Sequence, residues 1–386
     1  MDKPILSRYL YIYDEVILQF MTTLLKKENL EECYYWFSEL YYSKFDDIQE
    51  LFYYIYFDFY FINNPNYLEF VNNKIHKNTY LSYLHLIQNL FKLDVSLYVF
   101  LSRQYATINI NINKKFKGKT PEWVKIYPEE TQLFIRLLKK KDYKNMILEL
   151  KKIDYKTHLY ILTLFYKKNE NIITKLSKQF KKIKYNNELH IILSLILLFE
   201  FNNDINLDIN KIKMVKISKK KYNQLLDFNR DTDEIKPYNL LNIKKQYQIN
   251  DIITAFHLTQ ENIEHSIDLN ENWIHFTYNC KLWNRRIINY QGNYQYNNNN
   301  DNNNDNQNLK NIENIVIFKN EEDEEEFYNR YNYEIDEKPL PLKIKHYHEM
   351  TKYNWKDWIS FINIDLDTYL NIQSFPNDFN NTKFIY

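Results

Sequence analysis

The chain has 386 residues, enough for two or three domains at roughly 100–200 residues each. Hydrophobic residues make up 45% of it and the net charge is +1, so a sizeable core can be buried. Two glycines, Gly118 and Gly292, exclude a glycine-rich phosphate loop, and two cysteines, Cys33 and Cys280, exclude a disulfide framework and fit a reducing compartment.

Aromatics reach 17%, with 36 Tyr. Ala is confined to Ala106 and Ala255. Lys, Asn, Ile, Tyr and Phe share AT-rich codons, so genome bias alone accounts for much of this composition. The abundance of Lys and Asn is discounted accordingly.

Met1–Arg8 is polar and mixed, without the apolar run of a secretory leader. Residues 9–27 carry Leu10, Tyr13, Ile17, Phe20 and Leu24 at helical spacing, and Leu30–Tyr42 repeats the pattern with Tyr34, Phe37 and Tyr41. A third helix is expected over Ile48–Ile62. Its stretch LFYYIYFDFYFI holds one charge, Asp58. Twelve residues fall short of the roughly 20 that a membrane span needs. A helix apolar on every side is instead expected between other helices. Asn64 is expected to cap a helix starting at Pro65, and Asn78 or Thr79 to cap Tyr80–Leu93.

Ile108, Ile110 and Ile112 alternate with Asn, which reads as a strand or extended connector. Helical spacing resumes at Glu129–Lys140, Tyr143–Ile153, His158–Tyr166 and Leu189–Phe199. The last holds IILSLILLF, nine residues and again too short to span. The Asn-rich run NYQYNNNNDNNNDNQN cannot bury enough apolar area to offset chain entropy.

The expected fold is mostly α. An antiparallel helical-hairpin array, α-solenoid-like, is followed by an irregular α and coil C-terminal module. The segments are a helical array over 1–105, a connector over 106–128, a second helical group over 129–200 and a mixed aromatic-rich segment over 201–292. A disordered Asn-rich loop over 293–310 and an acidic, aromatic end over 311–386 complete the chain.

Charge is uneven. Residues 111–221 hold 26 Lys and Arg against 11 Asp and Glu, while both flanks are acidic. One reading is a phosphate-contacting surface with Lys114, Lys115, Lys117, Lys219, Lys220 and Lys221 at its densest parts. Against it, only Arg136 among those cations recognises phosphate bidentately, and solvated lysines on helix faces give the same pattern.

NWIHFTYNCKLWNRR at 272–286 places Trp273 and Trp283 beside Arg285 and Arg286. It reads as a base-stacking platform, a protein-contact hot spot, or plain core. His346 with His348 lacks a third metal ligand nearby, and Asp365 with Asp367 lacks a phosphate cradle. Cys33 sits in CYYWF, where an inert buried thiol is expected. No catalytic, cofactor-binding or metal-binding residue is assigned, and no cofactor is expected.

DKPILSRYLYIYDEV, ECYYWFSELYYSKFDD, WIHFTYNCKLWNRRI and EEFYNRYNYEIDEKPLP resemble an uncharacterised protein family of giant nucleocytoplasmic DNA viruses, the mimivirus-like group. The resemblance implies a setting in host cytoplasm or virion, and carries over no functional residue. The expected function is a non-enzymatic scaffold or adaptor for another protein, with no membrane. The alternative is an RNA- or DNA-binding factor using 111–221.

Overall fold

The computed structural model describes residues 6–9, 11, 13–106, 121–202, 205, 207–208, 213–226, 273–278, 280–296, 314–331 and 362. The Ile108–Ile112 alternation, Lys114, Lys115, Lys117, most of the Asn run, the His346 and His348 pair and the Asp365 and Asp367 pair lie outside them.

The protein is mostly helical. In chain order the helices are α1 (Tyr13–Lys26), α2 (Leu30–Tyr42), α3 (Ile48–Ile55), α4 (Leu68–Lys77), α5 (Tyr80–Leu90) and α6 (Tyr98–Ala106). Then come α7 (Glu122–Lys125), α8 (Glu129–Lys139), α9 (Tyr143–Leu150), α10 (Tyr155–Phe165), α11 (Glu170–Phe180) and α12 (Glu188–Phe201). The last three are α13 (Lys219–Leu226), α14 (Lys281–Asn289) and α15 (Glu321–Arg330), with strands β1 (Asn293–Tyr296) and β2 (Asn314–Ile317) between α14 and α15. No helix among the described residues is long and apolar enough to cross a membrane.

The chain divides into two compact units. One comprises Met1–Ile48 with Ile217–Asn363, the other Gln49–Lys216 with Ile364–Tyr386. These boundaries differ from the sequence segmentation: α1 and α2 belong with the C-terminal elements, and the basic stretch 111–221 is divided between units.

In the first unit α1 and α2 pack together, and the strap Leu6–Tyr9 closes on them. The buried Glu39 carboxylate accepts from Ser7 Oγ at 2.6 Å, Arg8 Nε at 2.9 Å and the Tyr9 amide at 2.9 Å. Burial opposes the Arg8 charge, but Glu39 outweighs it and raises the guanidinium's pKa. Trp283 donates Nε1–H to the Arg8 carbonyl at 3.1 Å and packs edge-on to Trp273 and Tyr331. β1 pairs antiparallel with β2, Tyr294 opposite Val316. Asn293–Tyr296 is therefore strand and not part of a disordered loop: its alternating tyrosines suit a pleat, and Tyr294 Oη meets Thr277 Oγ1 at 2.8 Å.

In the second unit the LFYYIYFDFYFI residues are interior, with Phe52 at 0% exposure and Ile55 and Phe59 at 1%. The expected single helix is α3 followed by a π-helical turn, Tyr56–Tyr60, closed by Phe61 N–H donating to the Tyr56 carbonyl at 2.8 Å. α12 is buried from His190 to Leu198 and meets α6, α9, α10 and the π turn. A solenoid confines contacts to sequence neighbours. Here helices distant in sequence gather around one apolar helix, because IILSLILLF has no face suited to water.

Asn64 does not cap: its Nδ2 donates to the Tyr60 and Asp94 carbonyls, and Pro65 opens a 3-10 turn before α4. Thr79 caps α5 in a capping box with Ser82, while Asn78 ends α4 in the left-handed region at φ 47°. Left-handed positions that commonly take glycine fall to Lys27, Lys44, Lys141 and Gln291.

Gly292 has no such replacement. A Cβ there would lie 2.6 Å from Ile287 Cγ2 and 2.9 Å from Phe318, and Ile287 is fully buried with a stiff branched side chain. Gly292→Ala is expected to lower stability by about 1–3 kcal/mol by overpacking; denaturant unfolding checks it.

Candidate functional site

Two kinds of site merit attention: a closed ionic cluster inside the second unit, and an open apolar face on its surface. The cluster starts from Asp58, at 2% exposure. Arg103 on α6 grips it with both prongs, Nε to Oδ1 at 3.0 Å and Nη2 to Oδ2 at 2.6 Å. His190 in the first turn of α12 brings Nε2 within 2.8 Å of Oδ1. Tyr185 Oη lies 2.5 Å from His190 Nδ1, and the Arg103 guanidinium lies over the Tyr54 ring, 5.1 Å from its centroid.

The protonation follows from the neighbours. Burial disfavours the Asp58 carboxylate, yet Arg103 and then His190 outweigh it and hold its pKa down at about 2. For His190 desolvation outweighs Asp58, so its pKa is lowered and the ring is neutral. With Nε2–H toward Asp58, Nδ1 accepts the Tyr185 hydroxyl. Tyr185, held far toward its neutral form by burial, donates. The order Tyr185, His190, Asp58, Arg103 resembles a proton relay. Its Tyr, His and Asp members are all buried, and their chemistry is spent on each other. A π-helical turn carries Asp58, a feature frequent at functional positions.

A half-buried acceptor, Glu200, receives the hydroxyls of Tyr143 and Tyr166 (2.5 Å for Tyr166) and the Lys141 ammonium at 3.1 Å. Burial raises its pKa, but these three donors more than reverse that. His158 is fully buried, edge-on to Phe134, and neither ring nitrogen makes a well-aligned hydrogen bond among the described residues. Desolvation lowers its pKa to about 4 despite Asp154. Cys33 and Cys280 are buried thiols that desolvation pushes up, Cys280 to about 12, so neither is a poised nucleophile.

The open face lies on α7 and α10. Trp123 and Ile126 are 44% and 77% exposed, Tyr160 and Leu164 are 55% and 44% exposed. Tyr127, one turn on from Trp123, lies near the Tyr160 hydroxyl, and desolvation together with that neighbour raises its pKa, so the end of α7 comes close to α10. α10 buries His158, Ile161 and Leu162 on its inner side, leaving Tyr160 and Leu164 four residues apart on the outer one.

The residues singled out from sequence fare differently. Trp273 and Trp283 are 1% and 0% exposed, so neither offers a stacking platform or a contact hot spot: the indoles are core. Arg286 is buried between the Trp283 ring at 4.7 Å and the Tyr331 ring at 4.9 Å. Arg285 is exposed on α14. Lys219 and Lys220 are exposed on α13, and Lys221 forms an ion pair with Glu31. No sequence motif marks Trp123, Ile126, Tyr160 and Leu164 as a set. The signal was that 159–165 is apolar over more of the helix than one buried stripe needs.

Comparison with protein-family models, curated proteins and solved structures finds no match. The giant-virus resemblance therefore rests on its sequence motifs alone.

His158 generates a pH prediction. Its pKa falls from 6.5 unfolded to about 4 folded, so its neutral-state advantage is full above pH 6.5 and is lost as pH falls toward 4. His158→Leu is expected to raise stability at pH 7 by about 1–3 kcal/mol, because a poorly hydrogen-bonded buried imidazole is removed. It should also flatten the loss between pH 6.5 and 4 by close to one proton, measured by denaturant midpoints across pH.

Proposed function

We propose that the chain is a helical scaffold or adaptor that holds another protein, in the viral setting its motifs imply, in host cytoplasm or virion. The observation that carries this reading is the exposed set Trp123, Ile126, Tyr160 and Leu164 on the second unit. Trp and Tyr recur at contact hot spots, and clustered exposed apolar side chains on a soluble surface mark interaction sites. The buried ion pair supports the same reading: it fixes the helices of this unit in one arrangement, as a platform needs. Arg103, Asp58 and His190 tie α6, the π turn and α12 together.

A second reading, binding of RNA or DNA, is favoured by one observation, the exposed Lys219 and Lys220 on α13. A salt titration decides it: phosphate binding weakens steeply as salt rises.

Tyr160→Asp with Leu164→Asp puts two charges on the face without touching buried groups. Affinity purification of the full chain from its native cells should recover a stoichiometric protein partner. The double variant should lose it at least tenfold while keeping its helical circular dichroism. Equal recovery by both proteins contradicts the reading.

A further inference from the structure

We infer that the face formed by Trp123, Ile126, Tyr160 and Leu164 receives an acidic amphipathic helical segment of a partner protein. This rests on the scaffold reading and adds the occupant. The first observation is shape: α10 offers apolar side chains at four-residue spacing, Tyr160 and Leu164, on its outer side. Such a stripe fits the ridge of another helix, and α7 supplies a flank with Trp123 and Ile126. β1 and β2, the paired strands of the described residues, lie in the other unit.

The second observation is charge. Lys156 stands one turn before Tyr160, and Lys167 and Lys168 stand one turn beyond Leu164, all three exposed. None of the three makes an ion pair among the described residues. Over 122–182 there are 15 Lys and Arg against 7 Asp and Glu. Two of those seven are paired, Glu122 with Lys125 and Glu149 with Lys152. The apolar stripe is thus framed by cations, and its complement is an apolar ridge framed by carboxylates.

Ile126 and Leu164 argue for protein over nucleic acid. A base stacks on Trp or Tyr but gains little from an exposed aliphatic chain, whereas a helix ridge buries both. Arg136 is the single Arg of 122–182, so bidentate phosphate recognition is not what this surface offers.

The test uses the full chain and four labelled probes in fluorescence anisotropy. They are a helix-forming peptide of about five turns with Leu on one face and Glu on the other, the same peptide with Lys for Glu, a scrambled peptide of equal composition, and an oligothymidylate. The Glu peptide is expected to bind at least tenfold more tightly than the Lys and scrambled peptides. Tyr160→Asp with Leu164→Asp should weaken it at least tenfold. Lys156→Glu with Lys167→Glu and Lys168→Glu should invert the preference toward the Lys peptide. Equal binding of Glu and Lys peptides, or binding untouched by these variants, overturns the inference. So does tighter binding of the oligothymidylate, abolished by the three Lys→Glu changes, which assigns the face to nucleic acid. If no peptide binds while the native partner is still lost from the Tyr160 and Leu164 variant, this inference fails and the scaffold reading stands. If that partner is also retained, both fail.

Discussion

Much of the second unit depends on one constraint, the burial of a full carboxylate charge in an aromatic interior. Asp58 lies at the middle of a π-helical turn surrounded by rings, and an unpaired carboxylate there would be untenable. Arg103 answers it bidentately and His190 completes the contact, so α6 and α12 are drawn to the same turn. Removing one member of such a buried pair typically costs about 3–5 kcal/mol, because the other charge is stranded. The apolar rings around it supply most of the burial, while the ion pair selects one arrangement of the helices. Tyr185 stacks on both Tyr53 and Phe57, and so joins the ring layer to the ionic one.

The first unit repeats the device with other residues. Glu39 takes three donors from the strap Ser7–Tyr9, and Trp283 adds its own bond to the Arg8 carbonyl. A chain almost without Ala and Gly packs bulky rings everywhere, and bulky rings alone specify packing loosely. Buried, fully donated carboxylates supply direction. Asparagine, which genome bias makes abundant, serves similarly. Asn89 bonds both backbone groups of Val215, and Asn202 and Asn64 each satisfy carbonyls at helix ends.

The helices were legible because Leu, Tyr and Phe recur at three- and four-residue spacing, as in Tyr34, Phe37 and Tyr41. The interior place of LFYYIYFDFYFI was legible from its lack of a polar face. The partners of Asp58 were not: Arg103 and His190 lie far along the chain, and nothing local links them to it. For Trp273 and Trp283 the local pattern left platform, hot spot and core open, because Trp beside Arg suits a contact surface while Trp in an aromatic-rich chain is as readily core. α11 escaped notice because lysines interrupt Ile173, Leu176 and Phe180. The face around Tyr160 escaped because an apolar residue on α10 reads as core until the helix's inner side is known to be filled by Ile161 and Leu162.

The central claim is that the Asp58 cluster is closed and pre-set, with a neutral His190 between Tyr185 and Asp58. Nitrogen-15 NMR of the histidine rings across pH tests it most directly. The account predicts that His190 keeps its proton on Nε2 and does not titrate until the unit unfolds in acid. A His190 that titrates near pH 6.5 with the fold intact would show that water reaches the cluster, and would contradict the account.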